Sequence, residues 1–329
     1  MVAIGSPDGG RGTPHGGARR LGLVKIHSVL PDRAPDRPRV VAVGFFDGFH
    51  RGHRAIVREA LRLRRAGERT AVLTFRDHPT AFLRPGEEPP LISTLEERVN
   101  ALARAGIDEA YVLAFDGAFA TLAPQGFLDE VLIARLGARA MVVGANFRFG
   151  HKRAGDVAFA ERHMRERGLL ALAVPNALED GARISSTRVR EAIQAGDLAT
   201  ADRLLETPYT VRGIVRFGAG RGHDLGFPTA NVDVSPAKLL PPDGVYRITA
   251  RHDGRDYLGL VSIGTNPTFD GRVRTVEAWL LDFHGSLYGE ELALRDFRFI
   301  RAQRKFDSID ALVAQMHEDA AAVRFPTVV

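Results

Sequence analysis

The stretch that decides the fold reads R-V-V-A-V-G-F-F-D-G-F-H-R-G-H, from Arg39 to His53. Its first half is an unbroken run of β-branched and small apolar residues, the pattern of a strand buried on both faces. At Gly44 the run gives way to a glycine-bearing turn, and past the turn a helical period begins. In open parallel sheets that junction is where a phosphate meets backbone N–H groups and a helix N-terminus. Working outward, further strands are expected at 70–75, 109–115, 138–144 and 169–174, after a first at 39–45. Helices fit between them, for example 52–66 and 94–105, the second with Ser93 or Thr94 as cap and Glu96 and Glu97 in its first turn. The alternation predicts an α/β module, a doubly wound parallel sheet.

Two more helices are expected at 187–195 and 198–205, and at Thr207-Pro208 the period changes from helical to two. Strands follow near 209–217, 245–252, 257–263, 275–282 and 291–300, with Asp253-Gly254 as a tight hairpin turn and a closing amphipathic helix over 308–323. Turn-linked strands of this kind predict a small antiparallel β-barrel with a C-terminal helix. The expected domains are residues 22–206 and 207–329, preceded by a glycine-rich flexible extension over 1–21.

Composition narrows the function classes. With no cysteine in 329 residues, disulfides, thiolate metal sites and a cysteine nucleophile are excluded. No signal-peptide core or membrane-length apolar run is present, so a cytoplasmic protein without a membrane partner is expected. The net charge is +5, but only four of the 45 basic residues are Lys and the arginines are interspersed with 40 acids. That favours anionic small substrates over nucleic acid. The sequence leaves the oligomeric state open.

His50 and His53, three residues apart at the start of a helix, can aim imidazoles and backbone N–H groups at one phosphate. Nucleotidyl transfer needs little more, because the attacking phosphate is itself the nucleophile. Gly44, Asp47, Gly48 and Gly52 are the candidate phosphate contacts of the turn, while metal ligation by the two histidines is the competing reading. Three later segments fall at strand ends: T-F-R-D-H-P over 74–79, V-V-G-A-N-F-R-F-G over 142–150 and R-I-S-S-T-R-V-R over 183–190. Arg183 as cation with Ser186 and Thr187 as donors suits a leaving pyrophosphate, although the same residues serve as an ordinary helix cap. Asn146 reads as a turn residue or a ligand contact, with Phe147 or Phe149 available for stacking.

The H-x-G-H turn together with I-S-S-T-R resembles the nucleotidyltransferase superfamily and its Rossmann-like sheet. T-F-x-x-H-P and G-x-N-F-x-F-G narrow the resemblance to the FMN adenylyltransferase module of bacterial bifunctional riboflavin kinase/FAD synthetases. That resemblance implies that His50 and His53 stabilise ATP phosphates, while Asn146, Arg183, Ser186 and Thr187 hold flavin and phosphates. Phe45 and Phe49 stand where the family's turn carries smaller or β-branched residues, and are expected to narrow the adenine side of the pocket.

The barrel half has no G-x-x-x-x-G-K-S/T, so phosphoryl transfer there needs other parts. F-G-A-G-R-G-H-D-L-G-F-P-T-A-N, over 217–231, offers a glycine-rich flap with Gly218, Gly220 and Gly222 for phosphates, then Thr229 and Asn231 as neutral oxygen ligands for Mg²⁺. Glu277, on a strand with Trp279, reads as a general base or as the partner of a neighbouring arginine. P-T-A-N, S-I-G-T-N-P-T-F and L-L-D-F-H-G-S-L-Y-G resemble the riboflavin kinase family, with Gln303 where that family usually has an acid. The two resemblances imply ATP as co-substrate, riboflavin and FMN as substrates, and FMN and FAD as products. The alternatives are a nucleotidyltransferase for another phosphorylated substrate and a catalytically silent flavin-binding regulator.

Overall fold

The computed structural model describes residues 24–217, 227–265 and 274–324. The 1–21 extension and the flap glycines Gly218, Gly220 and Gly222 lie outside the described residues. Strands β1 (Lys25–His27), β2 (Arg39–Val43), β3 (Arg69–Phe75), β4 (Glu109–Leu113) and β5 (Ala138–Gly144) build most of one sheet. A two-residue hairpin, β6 (Arg148–Phe149) with β7 (Gly155–Asp156), leads to the last sheet strand, β8 (Leu170–Val174). A second small hairpin, β9 (Leu178–Glu179) with β10 (Ala182–Arg183), follows. The sheet order is β1-β4-β3-β2-β5-β8 and every pairing is parallel.

The chain thus runs outward from β2 through β3 and β4, then reverses to the other side through β5 and β8. The topological switch falls between β2 and β5, and ligands of open α/β sheets bind at such a switch, beyond the carboxyl ends of the strands. Each face of β2 feeds a different core: Val41 and Val43 pack with Leu73, Tyr111 and Met141, whereas Val40 and Ala42 pack with Val72, Val142 and helix residues Ile56 and Val57. That two-sided burial is why the strand reads as a continuous apolar run.

The second half is a closed antiparallel barrel of β11 (Val211–Arg216), β12 (Ala230–Asp233), β13 (Gly244–His252), β14 (Arg255–Thr265), β15 (Arg274–Leu280) and β16 (Glu291–Arg301), in the order β11-β12-β15-β14-β13-β16. Asp253 and Gly254 make the β13–β14 turn with φ of 44° and 73°. Positive φ at both central positions is what a two-residue turn needs to match the strand twist. The helix Ile309–Arg324 covers part of the outer barrel face, where Val245, Leu260 and Leu281 meet Ala320 and Val323.

The expected change at Thr207-Pro208 falls within one continuous apolar cluster. Ile92, Ile184, Val189 and Ile193 join Leu204 and Leu205, and the cluster runs on into Tyr209, Val211 and the barrel interior. The helices Ser186–Gln194 and Leu198–Leu205 therefore pack both ways. A polar anchor stands beside them: the Lys238 ammonium, 2% exposed, donates to Glu97 at 2.7 Å. Removing one partner from a pair this deeply buried costs about 3–5 kcal/mol. An exposed pair such as Arg84–Glu87 contributes about 0–1 kcal/mol.

Candidate active sites

Immediately after β2 the backbone turns sharply, with Phe46, Gly48 and Phe49 all at positive φ (59°, 75° and 45°). Only Gly48 adopts that conformation without strain. A Cβ there would also stand 2.8 Å from Ile92 Cγ2. The two phenylalanines are held by burial, because Phe46 and Phe49 insert into the core between the sheet and the helix Arg51–Leu63. Phe49 is 2% exposed and packs with Ile56 and Val57 of the helix. Phe45 instead meets the Arg98 guanidinium, 4.2 Å from its ring centroid, and the edge of His78.

His50 is the N-cap of the Arg51–Leu63 helix, its Nδ1 accepting from the His53 N–H at 3.3 Å. The two imidazoles stack with centroids 3.7 Å apart and planes within 17°. A Cβ on Gly52 would sit 3.1 Å from the His50 ring, so this close stack leaves little room at that position. Burial pushes the His50 imidazole down to about 4, with Asp47 opposing and Arg183 and Arg190 reinforcing. Burial also holds His53 well below its ordinary value, and the neighbouring His50 and Arg98 add to the effect. Both rings are uncharged at neutral pH, and His53 Nδ1 has no hydrogen-bond partner among the described residues.

That neutrality links stability to pH. An unfolded chain protonates the His50 imidazole near 6.5, whereas the folded chain resists until about 4. Between those values the unfolded state binds more protons, so the stability is complete above 6.5 and is lost as pH falls toward 4. For His50 the full loss is about 3 kcal/mol. Denaturant unfolding of the ligand-free protein is expected to show this acid slope. His50→Asn keeps a capping side chain and should flatten it; equal slopes in the two proteins would refute the assignment.

Asp47, expected among the phosphate contacts, holds the turn instead. Its carboxylate is 1% exposed and accepts from the Ile92 N–H (3.1 Å), the Ser93 N–H (2.9 Å), the Ser93 hydroxyl (3.0 Å) and Arg190 (2.7 Å). With these positions filled, the side chain has little left to offer a ligand. The I-S-S-T-R segment arrives at the same turn: Ser186 Oγ donates to the Asp47 carbonyl at 3.1 Å, and the Ile184 carbonyl lies 3.8 Å from the position of a Gly52 Cβ. Ser185 caps the helix Ser186–Gln194, while Arg183 and Thr187 are exposed at its start. The structure therefore brings His50, His53, Ser186 and Arg183 to one end of the sheet, with Gly44, Gly48 and Gly52 between them.

Asn146 is exposed and donates to Asn176 at 3.2 Å. Of the two expected stacking residues, Phe149 is a core residue, 6% exposed and packed against Phe127 and Gly155; only Phe147 keeps an open edge. Sequence reading missed a cluster at the ends of β3 and β4, where Phe75, Phe115 and Phe119 interlock edge to face and Phe82 remains 48% exposed. It also missed Arg98, whose guanidinium donates to the carbonyls of Phe45 (3.0 Å), Phe75 (2.9 Å) and Arg76 (2.9 Å), tying the ends of β2 and β3 together.

On the barrel, Glu277 pairs across the sheet with Asn231 on one side and Ser262 on the other. Val276, Ala278 and Leu280 point into the core, so Glu277 and Trp279 share the outer face. Glu277 is half-buried and makes no hydrogen bond or ion pair among the described residues, so the arginine-partner reading has no support there. Phe227 stands between Trp279 and His317 of the last helix and forms an aromatic wall beside the carboxylate. Gln303 donates to Ser262 at 2.9 Å and fills the space over Gly264. Thr229 is half-buried just before β12, and among the described residues no three His, Asp or Glu side chains form a metal cluster.

A neutral imidazole pair at a helix N-terminus, beside the switch point of a doubly wound parallel sheet, points to a class: enzymes that act on phosphate-bearing substrates. Comparison with known proteins resolves the class. Residues 32–188 match the family model described as FAD synthetase, and residues 205–325 match riboflavin kinase. The bifunctional riboflavin kinase/FMN adenylyltransferase of Listeria monocytogenes is 36% identical over 91% of this chain and 95% of its own length. The Escherichia coli K12 protein of that name is 34% identical over 91% and 95% respectively. The chain belongs to the bifunctional riboflavin kinase/FMN adenylyltransferase family. A crystal structure from Streptococcus pneumoniae, described as a macrolide-efflux protein, superposes with a TM-score of 0.82 at 32% identity, over 92% of this chain and 99% of that one. In the present chain no helix among the described residues is long and apolar enough to cross a membrane.

Proposed function

We propose that the chain makes FMN and then FAD in the cytoplasm, with residues 207–329 phosphorylating riboflavin and residues 22–206 adenylylating FMN, each step consuming MgATP. The observation that carries the first module is the neutral, stacked His50–His53 pair at the switch point of the sheet. There an FMN phosphate oxygen attacks the α-phosphorus of ATP, the bond to the bridging oxygen breaks, and pyrophosphate leaves. His50 and His53 donate to the charge that builds on the α-phosphate, and Arg183, Ser186 and Thr187 receive the pyrophosphate. Asn146, Phe147 and the half-exposed Phe82–Phe115 cluster form the flavin side.

At the barrel, the ribityl hydroxyl attacks the γ-phosphorus, Glu277 takes its proton, and ADP leaves. Mg²⁺ brought in by nucleotide phosphates needs only one or two protein oxygens, and Thr229 and Asn231 beside Glu277 fit that requirement. The partners on this reading are small molecules, with no nucleic acid and no membrane. Incubating the purified protein with riboflavin and MgATP, with chromatographic detection, should show FMN appearing first and FAD after it. Absence of both products would end the reading, and accumulation of FMN alone would confine it to the barrel.

A further inference from the structure

One peptide unit joins the two modules through charge at both ends. The carbonyl of Ile92 accepts from the buried Lys238 ammonium of the barrel half at 2.7 Å. The N–H of the same peptide bond, on Ser93, donates to the Asp47 carboxylate at 2.9 Å. Asp47 is also held by the Ser93 hydroxyl, which in turn accepts from the Gly48 N–H at 2.9 Å, two residues before the helix cap His50. A cation on the carbonyl and an anion on the amide polarise the peptide in the same sense, so each hydrogen bond strengthens the other. Residue 91 is locked into the barrel as well, its N–H donating to Ala237 (2.7 Å) and its carbonyl accepting from Leu239 (2.8 Å). Lys238, Gly48 and Phe49 all line a cleft of about 880 Å³ at the module junction, while the strap beside it is itself buried, Asp47 at 1% and Ile92 at 2% exposure.

We infer that Lys238, a residue of the kinase half, is a positioning residue for adenylyl transfer: through the Ile92–Ser93 peptide it fixes Asp47, and through Asp47 the turn that presents His50 and His53. The inference rests on the reading of those histidines as the adenylyl-transfer site. Among the described residues the Lys238 ammonium meets the Ile92 carbonyl, Glu97 and the Tyr209 ring, none of them on the barrel face that carries Glu277, Asn231 and Ser262, so FMN formation should be independent of it.

The test uses the full chain with Lys238→Met and with Lys238→Met/Glu97→Gln, the double variant leaving no buried unpaired carboxylate while Gln keeps the helix cap. Three quantities are read: FMN formation from riboflavin, kcat and KM for FAD formation from supplied FMN, and the unfolding midpoint. The double variant is expected to unfold close to the parent and to form FMN within about two-fold of it, while kcat for FAD formation falls about ten- to a hundred-fold. Parental kcat in the double variant, or parallel loss of both activities, overturns the inference in favour of simple interface glue. Should either protein fail to fold, Lys238→Leu/Glu97→Gln, which likewise removes the donor to the Ile92 carbonyl, is read the same way. His53→Ala run alongside separates the two claims. If that variant still makes FAD the histidine reading fails, whereas an inactive His53→Ala beside a fully active Lys238 variant removes only the strap.

Discussion

His53→Ala should stop the protein at FMN: riboflavin phosphorylation stays at the parental rate, and kcat for converting supplied FMN to FAD drops about 10²–10³-fold. That magnitude is what loss of one pre-aimed donor to a developing oxyanion produces, equivalent to about 3–4 kcal/mol of transition-state stabilisation. The structure gives reasons to assign it to His53. The ring is neutral because burial and the neighbouring His50, Arg98 and Arg190 oppose its protonation. A neutral imidazole carries one N–H, and stacking on His50 at 3.7 Å fixes where that N–H points. The alanine variant keeps the helix cap, which belongs to His50, so folding changes little and the loss is confined to catalysis. Equal loss of FMN formation, or FAD formation at the parental rate, would contradict the two-site account.

How far the sequence alone could lead depended on whether a residue's role is local. β2 to β5 were readable because strands buried on both faces must be apolar throughout, and the Thr94 cap with Glu97 was readable because both partners lie within one turn. The Asp253-Gly254 turn is local in the same sense. β12, Ala230–Asp233, was missed because it is four residues long and its first two, Ala230 and Asn231, close a motif read for chemistry, and only pairing with β11 and β15 makes it a strand. β1 was missed because Lys25, Ile26 and His27 are an exposed edge with no apolar signature. Arg98 was hidden because it looks like any polar helix residue until the sheet ends it binds are brought to it. Asp47 was misplaced for the opposite reason: its neighbours in sequence carry the motif read for phosphate, and its partners, Ile92, Ser93 and Arg190, lie 45 to 143 residues away. Phe149 carries the motif, but packing against Phe127 and Phe159 takes its ring into the core.

Glu277→Gln should give the mirror image, with FAD still formed from supplied FMN at close to the parental rate and FMN formation from riboflavin reduced about 10²–10⁴-fold. Gln preserves the size and polarity of the side chain on the outer face of β15, so a structural role as a polar filler opposite Asn231 and Ser262 would survive the change. What it cannot do is accept the proton of the ribityl hydroxyl. A loose phosphoryl-transfer transition state asks more for positioning than for proton removal. The size of the loss therefore measures how much of the barrier the base carries, and Glu277→Ala, which also opens space beside Trp279 and Phe227, should raise the KM for riboflavin as well. If Glu277→Gln phosphorylates riboflavin as fast as the parent, the carboxylate is not the base, and the outer barrel face works by orienting riboflavin and nucleotide alone. If FAD formation from supplied FMN falls with it, the two sites are not separable, and the strap through Lys238 would then have to carry information in both directions.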